Sequence, residues 1–160
     1  AVFDSAMIFG GNSSADRVGT RQTITLMYGG QTTTNTRIDI HPNNGDPLVL
    51  TFFQPEVNRV YYFQSETLAV RIGGSSGSGA VGDFKSWVER GVVKCNGAGT
   101  LSIERTRTSP VSSGTTTGWG PENQVSGVNF QQTVKGSGSM TVEWVSTIRF
   151  MQLYTGVTLP

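Results

Sequence analysis

The run Met140-Thr141-Val142-Glu143-Trp144-Val145-Ser146-Thr147-Ile148-Arg149-Phe150 puts Met140, Val142, Trp144, Ile148 and Phe150 on one parity. Alternate residues of an extended chain point to opposite faces, so this parity predicts a long central strand with one face on a core. The same period recurs along the chain. Ile24, Leu26 and Tyr28 share a face of 21–28, and Leu68, Val70 and Ile72 share a face of 67–72 with Thr67, Ala69 and Arg71 opposite. Both read as half-buried strands. Further strands are expected at 36–40, 48–53, 57–63, 91–95, 100–105 and 128–134, where short apolar runs rich in β-branched and aromatic residues recur.

Turn chemistry separates these runs. Pro42-Asn43-Asn44-Gly45-Asp46-Pro47 and Asn96-Gly97 offer residues that tolerate positive φ, so a hairpin is expected at each. The stretches 29–35, 73–82 and 106–125 are poor in apolar residues and read as loops, the third being the longest. One helical signal stands out: Asp83 as a cap, Phe84, Trp87 and Val88 at i, i+3 and i+4, and Gly91 beyond. The fold class that follows is all-β, a two-sheet β-sandwich of jelly-roll or immunoglobulin-like type, with about eight to ten strands. At most one short helix is expected, near 83–90, and residues 1–160 are expected to form a single domain.

Composition narrows the function. Charged residues make up 14% of the 160 and the net charge is +1, so neither nucleic acid nor an acidic membrane surface is an expected partner. No apolar run reaches the roughly 20 residues of a membrane-spanning helix. One histidine and one cysteine cannot build a structural zinc site, and Cys95 alone cannot close an intrachain disulfide. Cys95 reads as a buried small hydrophobe. Asn43, Asn44 and Asp46 lack the spacing of a calcium loop, so no metal and no cofactor is expected.

Two short patterns mimic chemistry without its context. Gly77-Ser78-Gly79-Ala80-Val81-Gly82 matches G-x-G-x-x-G, but no long helix or βαβ unit follows to bind a dinucleotide. Gly73-Gly74-Ser75-Ser76-Gly77 matches the nucleophile elbow, yet the one histidine, His41, precedes it in chain order. His41 itself reads as a turn residue. No pair among the eleven acids is singled out for hydrolysis.

The segment around Trp119 carries the binding expectation. A tryptophan between two glycines in a polar loop, followed by Glu122 and Asn123, offers an aromatic plate beside groups that hydrogen-bond sugar hydroxyls. Trp119, Glu122 and Asn123 are therefore the candidate ligand-binding residues. The alternative is that Trp119 folds back over one end of the sandwich.

In size and β-content the chain is similar to fimbrial tip-adhesin receptor-binding domains, although it lacks their cysteine pair. The leading expectation is a non-enzymatic, extracellular or cell-surface recognition domain of a bacterial pilus or surface adhesin, binding a glycan or protein receptor. The alternative is a viral or phage structural or receptor-binding head, which would place it on a virion. A small all-β enzyme is the third reading. Oligomerisation is compatible with each.

Overall fold

The computed structural model describes residues 6–11, 21–42, 52–154 and 156–160. Nine strands appear among them: β1 (Ala6–Gly11), β2 (Arg21–Thr32), β3 (Ile38–Ile40), β4 (Arg59–Gly73), β5 (Phe84–Cys95), β6 (Leu101–Ser113), β7 (Gly120–Ser126), β8 (Asn129–Lys135) and β9 (Thr141–Tyr154). They form a six-stranded sheet in the order β1-β2-β9-β4-β5-β6 and a three-stranded sheet in the order β3-β8-β7. Every pairing is antiparallel. The two-sheet all-β expectation holds.

The predicted helix near 83–90 does not form. Phe84–Cys95 is one strand, whose inward parity is Trp87, Glu89, Val93 and Cys95 with Gly91 between. A charged residue and a glycine interrupt the apolar alternation, so the period of two was masked and a chance i, i+3, i+4 spacing remained. Gly91 is required there. A side chain at that position would fall on the Glu104 carbonyl oxygen and the Phe63 ring.

The long predicted loop at 106–125 is largely strand as well. β6 continues to Ser113 although all its residues from Glu104 onward are exposed, because an edge strand can be held by backbone bonds to β5 without burying side chains. Pro110 lies where the register shifts, between the pairs Ser86↔Val111 and Val88↔Thr108, so its missing N–H costs the ladder nothing. The predicted strands at 57–63 and 67–72 are one continuous β4. The Asn96 turn joins β5 to β6 as expected, with Asn96 Oδ1 accepting from the amides of Ala98 and Thr100 at 3.0 and 2.8 Å. The other predicted hairpin, with Asn43, Asn44 and Asp46, lies outside the described residues.

The core sits between the sheets. Phe150 of β9 meets Phe53 at 4.3 Å and Phe130 of β8 at 5.0 Å between ring centroids, and Phe130 meets Phe63 of β4 at 5.2 Å. Beside this aromatic cluster lies a buried polar layer. Gln132 Nε2 donates to Thr67 Oγ1 at 3.1 Å and to Ser146 Oγ at 2.8 Å, and Asn123 Nδ2 donates to Ser65 Oγ at 2.8 Å. These bonds cross from the small sheet to the large one, and buried groups of this kind are costly to leave unpaired.

That layer turns β4 over. Thr67, Ala69 and Arg71 face inward at 2%, 0% and 3% exposure, whereas Leu68 and Ile72 point out at 41% and 50%. The apolar parity of 67–72 is thus the solvent face. Inside, Arg71 folds the glycine-rich loop 73–82 around itself: its guanidinium donates to the carbonyls of Gly73, Ser76 and Ser78 at 3.0, 3.0 and 2.6 Å. Asp83 ties the loop down by accepting from the amides of Ala80 and Thr115 at 2.9 and 3.0 Å. Both glycine patterns are thereby explained as a cradle of carbonyls for a cation, the opposite polarity to a phosphate loop. Cys95 is buried and free.

Replacing Gly91 with valine should destabilise the fold by about 1–3 kcal/mol, the usual effect of forcing extra methyl groups into a filled site. Urea denaturation of the two proteins measures the difference.

Candidate functional site

The strand β7 decides where the three predicted residues go. Its inward parity brings Asn123 into the polar layer at 0% exposure, where its backbone N–H also donates to Glu89 Oε1 at 3.0 Å. Its outward parity displays Glu122. The preceding turn, Thr116 to Trp119, has Gly118 at φ +83° and a Trp119 N to Thr116 O bond of 3.3 Å, which fits a type II turn with glycine at its third position. This turn swings the Trp119 ring inward to 4% exposure, 6.3 Å from the Trp144 ring. The expected exposed plate is therefore a buried one, because Trp144 offers apolar surface that the neighbouring sequence does not. Of the three residues, Glu122 is the accessible one.

Glu122 stands in a cluster of arginines. Arg105 of β6 reaches Oε1 at 2.5 Å with Nη2, and its Nη1 lies 3.6 Å from Glu89 Oε2, so one guanidinium links a half-exposed carboxylate to one that is 1% exposed. Arg37, just before β3, approaches Glu122 Oε2 at 3.5 Å and donates to Thr133 Oγ1 at 3.1 Å. Arg107 donates to the Pro121 carbonyl. Partial burial opposes the negative charge on Glu122, but the Arg105 hydrogen bond and the charges of Arg105, Arg37 and Arg107 outweigh it. The carboxyl therefore titrates below its ordinary range.

The rest of the outward face carries amides, and the Thr133 hydroxyl is covered beneath Arg37 at 3% exposure. Thr133 lies between Asp39 of β3 and Glu122 of β7 in one cross-strand row. In the neighbouring row Gln124 donates to Gln131 Oε1 at 3.1 Å. Such a surface can donate to and accept from polyhydroxylated ligands while its own groups stay held in place. Arg37, Arg105, Arg107 and Glu89 were not singled out from sequence. The available signal was Leu101, Ile103, Arg105 and Arg107 on one parity, a face that leaves the core and ends in two cations.

Among the described residues there is no group of three or more His, Cys, Asp or Glu side chains placed to hold a metal ion, and no helix long and apolar enough to cross a membrane. His41 lies beside Phe52, their ring centroids 5.0 Å apart. Tyr61 is buried and Tyr62 is on the outward parity of β4.

No family model matches the chain, and no curated protein matches it. Solved structures of similar outline are phage tailspikes. Tailspike protein gp49 of Acinetobacter baumannii bacteriophage Fri1, a capsular polysaccharide depolymerase, is 6% identical over 95% of this chain, with a TM-score of 0.43. The Acinetobacter baumannii phage AM24 tailspike is 12% identical over 86%, with a TM-score of 0.44. The Acinetobacter phage vB_ApiP_P1 tailspike is 12% identical over 91%, with a TM-score of 0.27. The chain spans 21%, 27% and 25% of those three proteins. Likenesses of this degree assign no family. They do correct one expectation: a protein of similar outline is named as an enzyme, so a non-enzymatic role is no longer carried forward.

Trp119→Ala should lower stability by about 3–5 kcal/mol, as truncation of a buried tryptophan does, and chemical denaturation reads it directly. Glu122 yields a pH prediction. Its folded value lies below the ordinary 4.5, so its contribution to stability is complete above that range and is lost as pH falls through the lowered value. In melts across acid pH, Glu122→Gln should show a shallower decline than the parent.

Proposed function

We propose that this chain is a recognition domain of a virion spike or fibre and that it engages a bacterial cell-surface polysaccharide through the outward face of the small sheet around Glu122. The observation that supports this reading is the Arg37–Glu122–Arg105 cluster. It combines a carboxylate acceptor and guanidinium donors, already paired with one another, beside the Gln124–Gln131 amide row of β7 and β8. Groups held in this way lose little freedom on binding, which is how a polar surface gains affinity. Trp119 and Asn123 act from beneath, by holding the segment that displays Glu122.

A virion setting is preferred to a bacterial adhesin because the chain's one cysteine, Cys95, is buried and free, so no intrachain disulfide staples the sandwich. The names of the tailspikes suggest the polymer to try first, an Acinetobacter capsular polysaccharide. A second reading, cleavage of that polymer, is favoured by one observation: Asp39 and Glu122 stand on opposite edges of the small sheet with Thr133 between them. Two carboxylates across one strand, about 10 Å apart at the backbone, supply the groups that glycosidic cleavage uses.

Immobilised capsular polysaccharide should retain the parent protein, and Arg105→Ala and Glu122→Ala should each weaken retention about tenfold or more with the fold intact by circular dichroism. Size analysis of the incubated polymer reads cleavage, which Asp39→Asn should abolish if it occurs. Retention indifferent to Glu122→Ala, or no retention on a panel of capsular polysaccharides, would overturn the proposal.

A further inference from the structure

The solvent face of the large sheet carries several exposed apolar side chains. Met27, Leu68, Val92, Val145, Met151 and Leu153 stand on it at 40–49% exposure. Four of them, Met151, Val92, Val145 and Leu68, belong to two bands, while Met27 stands beside Thr147 and Leu153 beside Val60. In the first, cross-strand pairing places Met151 beside Tyr62 and Tyr62 beside Val92; in the second, it places Val145 beside Leu68 and Leu68 beside Ser86. Between the bands run two rows of different character, Arg149–Gln64–Arg90 and Thr147–Glu66–Val88. Exposed apolar bands of this kind, set on either side of rows that carry opposite charges, suit an interface.

We propose that this face binds a second copy of the same chain about a two-fold axis that lies in the plane of the face, perpendicular to the strands, between those two middle rows. The axis exchanges the rows. Glu66 of each copy then lies over Gln64 of the other, flanked by that copy's Arg149 and Arg90 one strand to either side. Neighbouring strands are about 4.8 Å apart, so both guanidinium groups come within reach of the carboxylate. The same operation lays the Met151–Tyr62–Val92 band on the Val145–Leu68–Ser86 band.

Charge and apolar character thus complement themselves in both directions, which is a requirement of an isologous contact. The extent is sufficient. Five strands by about ten residues cover on the order of 800 Å², from the usual strand spacing and rise, and a standard interface takes about that much from each partner. Packing of this type also keeps the strands of the facing sheets roughly aligned. The Glu122 face lies on the opposite side of the sandwich, so a pair would display two of them, although the pairing does not depend on what that face binds.

Sedimentation equilibrium of the full chain should show a concentration-dependent dimer. Glu66→Arg should weaken it at least about tenfold by setting three cations together, and a chain carrying Arg90→Glu with Arg149→Glu should be weakened similarly by carboxylate repulsion. Mixing the two variants should restore a dimer, now composed of one chain of each kind, because both contacts become attractive again. All of these positions point to solvent, and thermal melts verify that each variant folds. A monomer at every concentration, a trimer, a dimer indifferent to Glu66→Arg, or no recovery on mixing would overturn the proposal.

Discussion

Gln132 is the residue on which the two sheets are registered. Its amide nitrogen bonds two hydroxyls of the large sheet, Thr67 and Ser146, which also bond each other at 2.9 Å. Apolar layers can slide over one another with little change in buried area, whereas a buried amide that loses its partner carries an uncompensated desolvation cost. The polar layer therefore selects one placement of the small sheet on the large one, and it dictates which parity of β4 faces inward.

Much of the surface follows from that choice. Once Ser65 and Thr67 are inside, Leu68 and Ile72 must be outside, so their exposure follows from the polar layer. At the neighbouring end Asn123 completes the layer through Ser65 and Glu89, which leaves Glu122 pointing away from the core. Arg105 then joins the buried Glu89 to the accessible Glu122. A single structural requirement accounts for apolar bands on one side of the sandwich and a charged, amide-bearing face on the other.

The arginines serve two separate purposes here. Arg71 is enclosed and uses its guanidinium to order backbone carbonyls, so the loop 73–82 has a defined shape without any apolar residue to anchor it. Arg37 and Arg105 stand at the rim, where their donors are shared between protein partners and solvent. The planar fork of the guanidinium suits both tasks, since it satisfies several acceptors at fixed angles.

Local alternation in the sequence was enough to determine an all-β sandwich, since period two in 21–28 and 140–150 is a property of neighbouring residues and needs no knowledge of the fold. The Asn96 turn was legible for the same reason. Tertiary structure decided whatever depended on a partner distant in sequence. Phe84–Cys95 became a strand because its backbone pairs on both sides, and β6 persisted through an exposed stretch because β5 supplied its hydrogen bonds. Trp119 went inward because Trp144 was there to receive it, and β4 showed its apolar parity to solvent because Gln132 held the hydroxyl parity inside. Of the site, Glu122 was legible as an acid beside an aromatic, but its arginine partners come from two distant parts of the chain, the segment before β3 and the strand β6. Periodicity reports that a strand has two faces, and only the groups packed against it determine which face is buried.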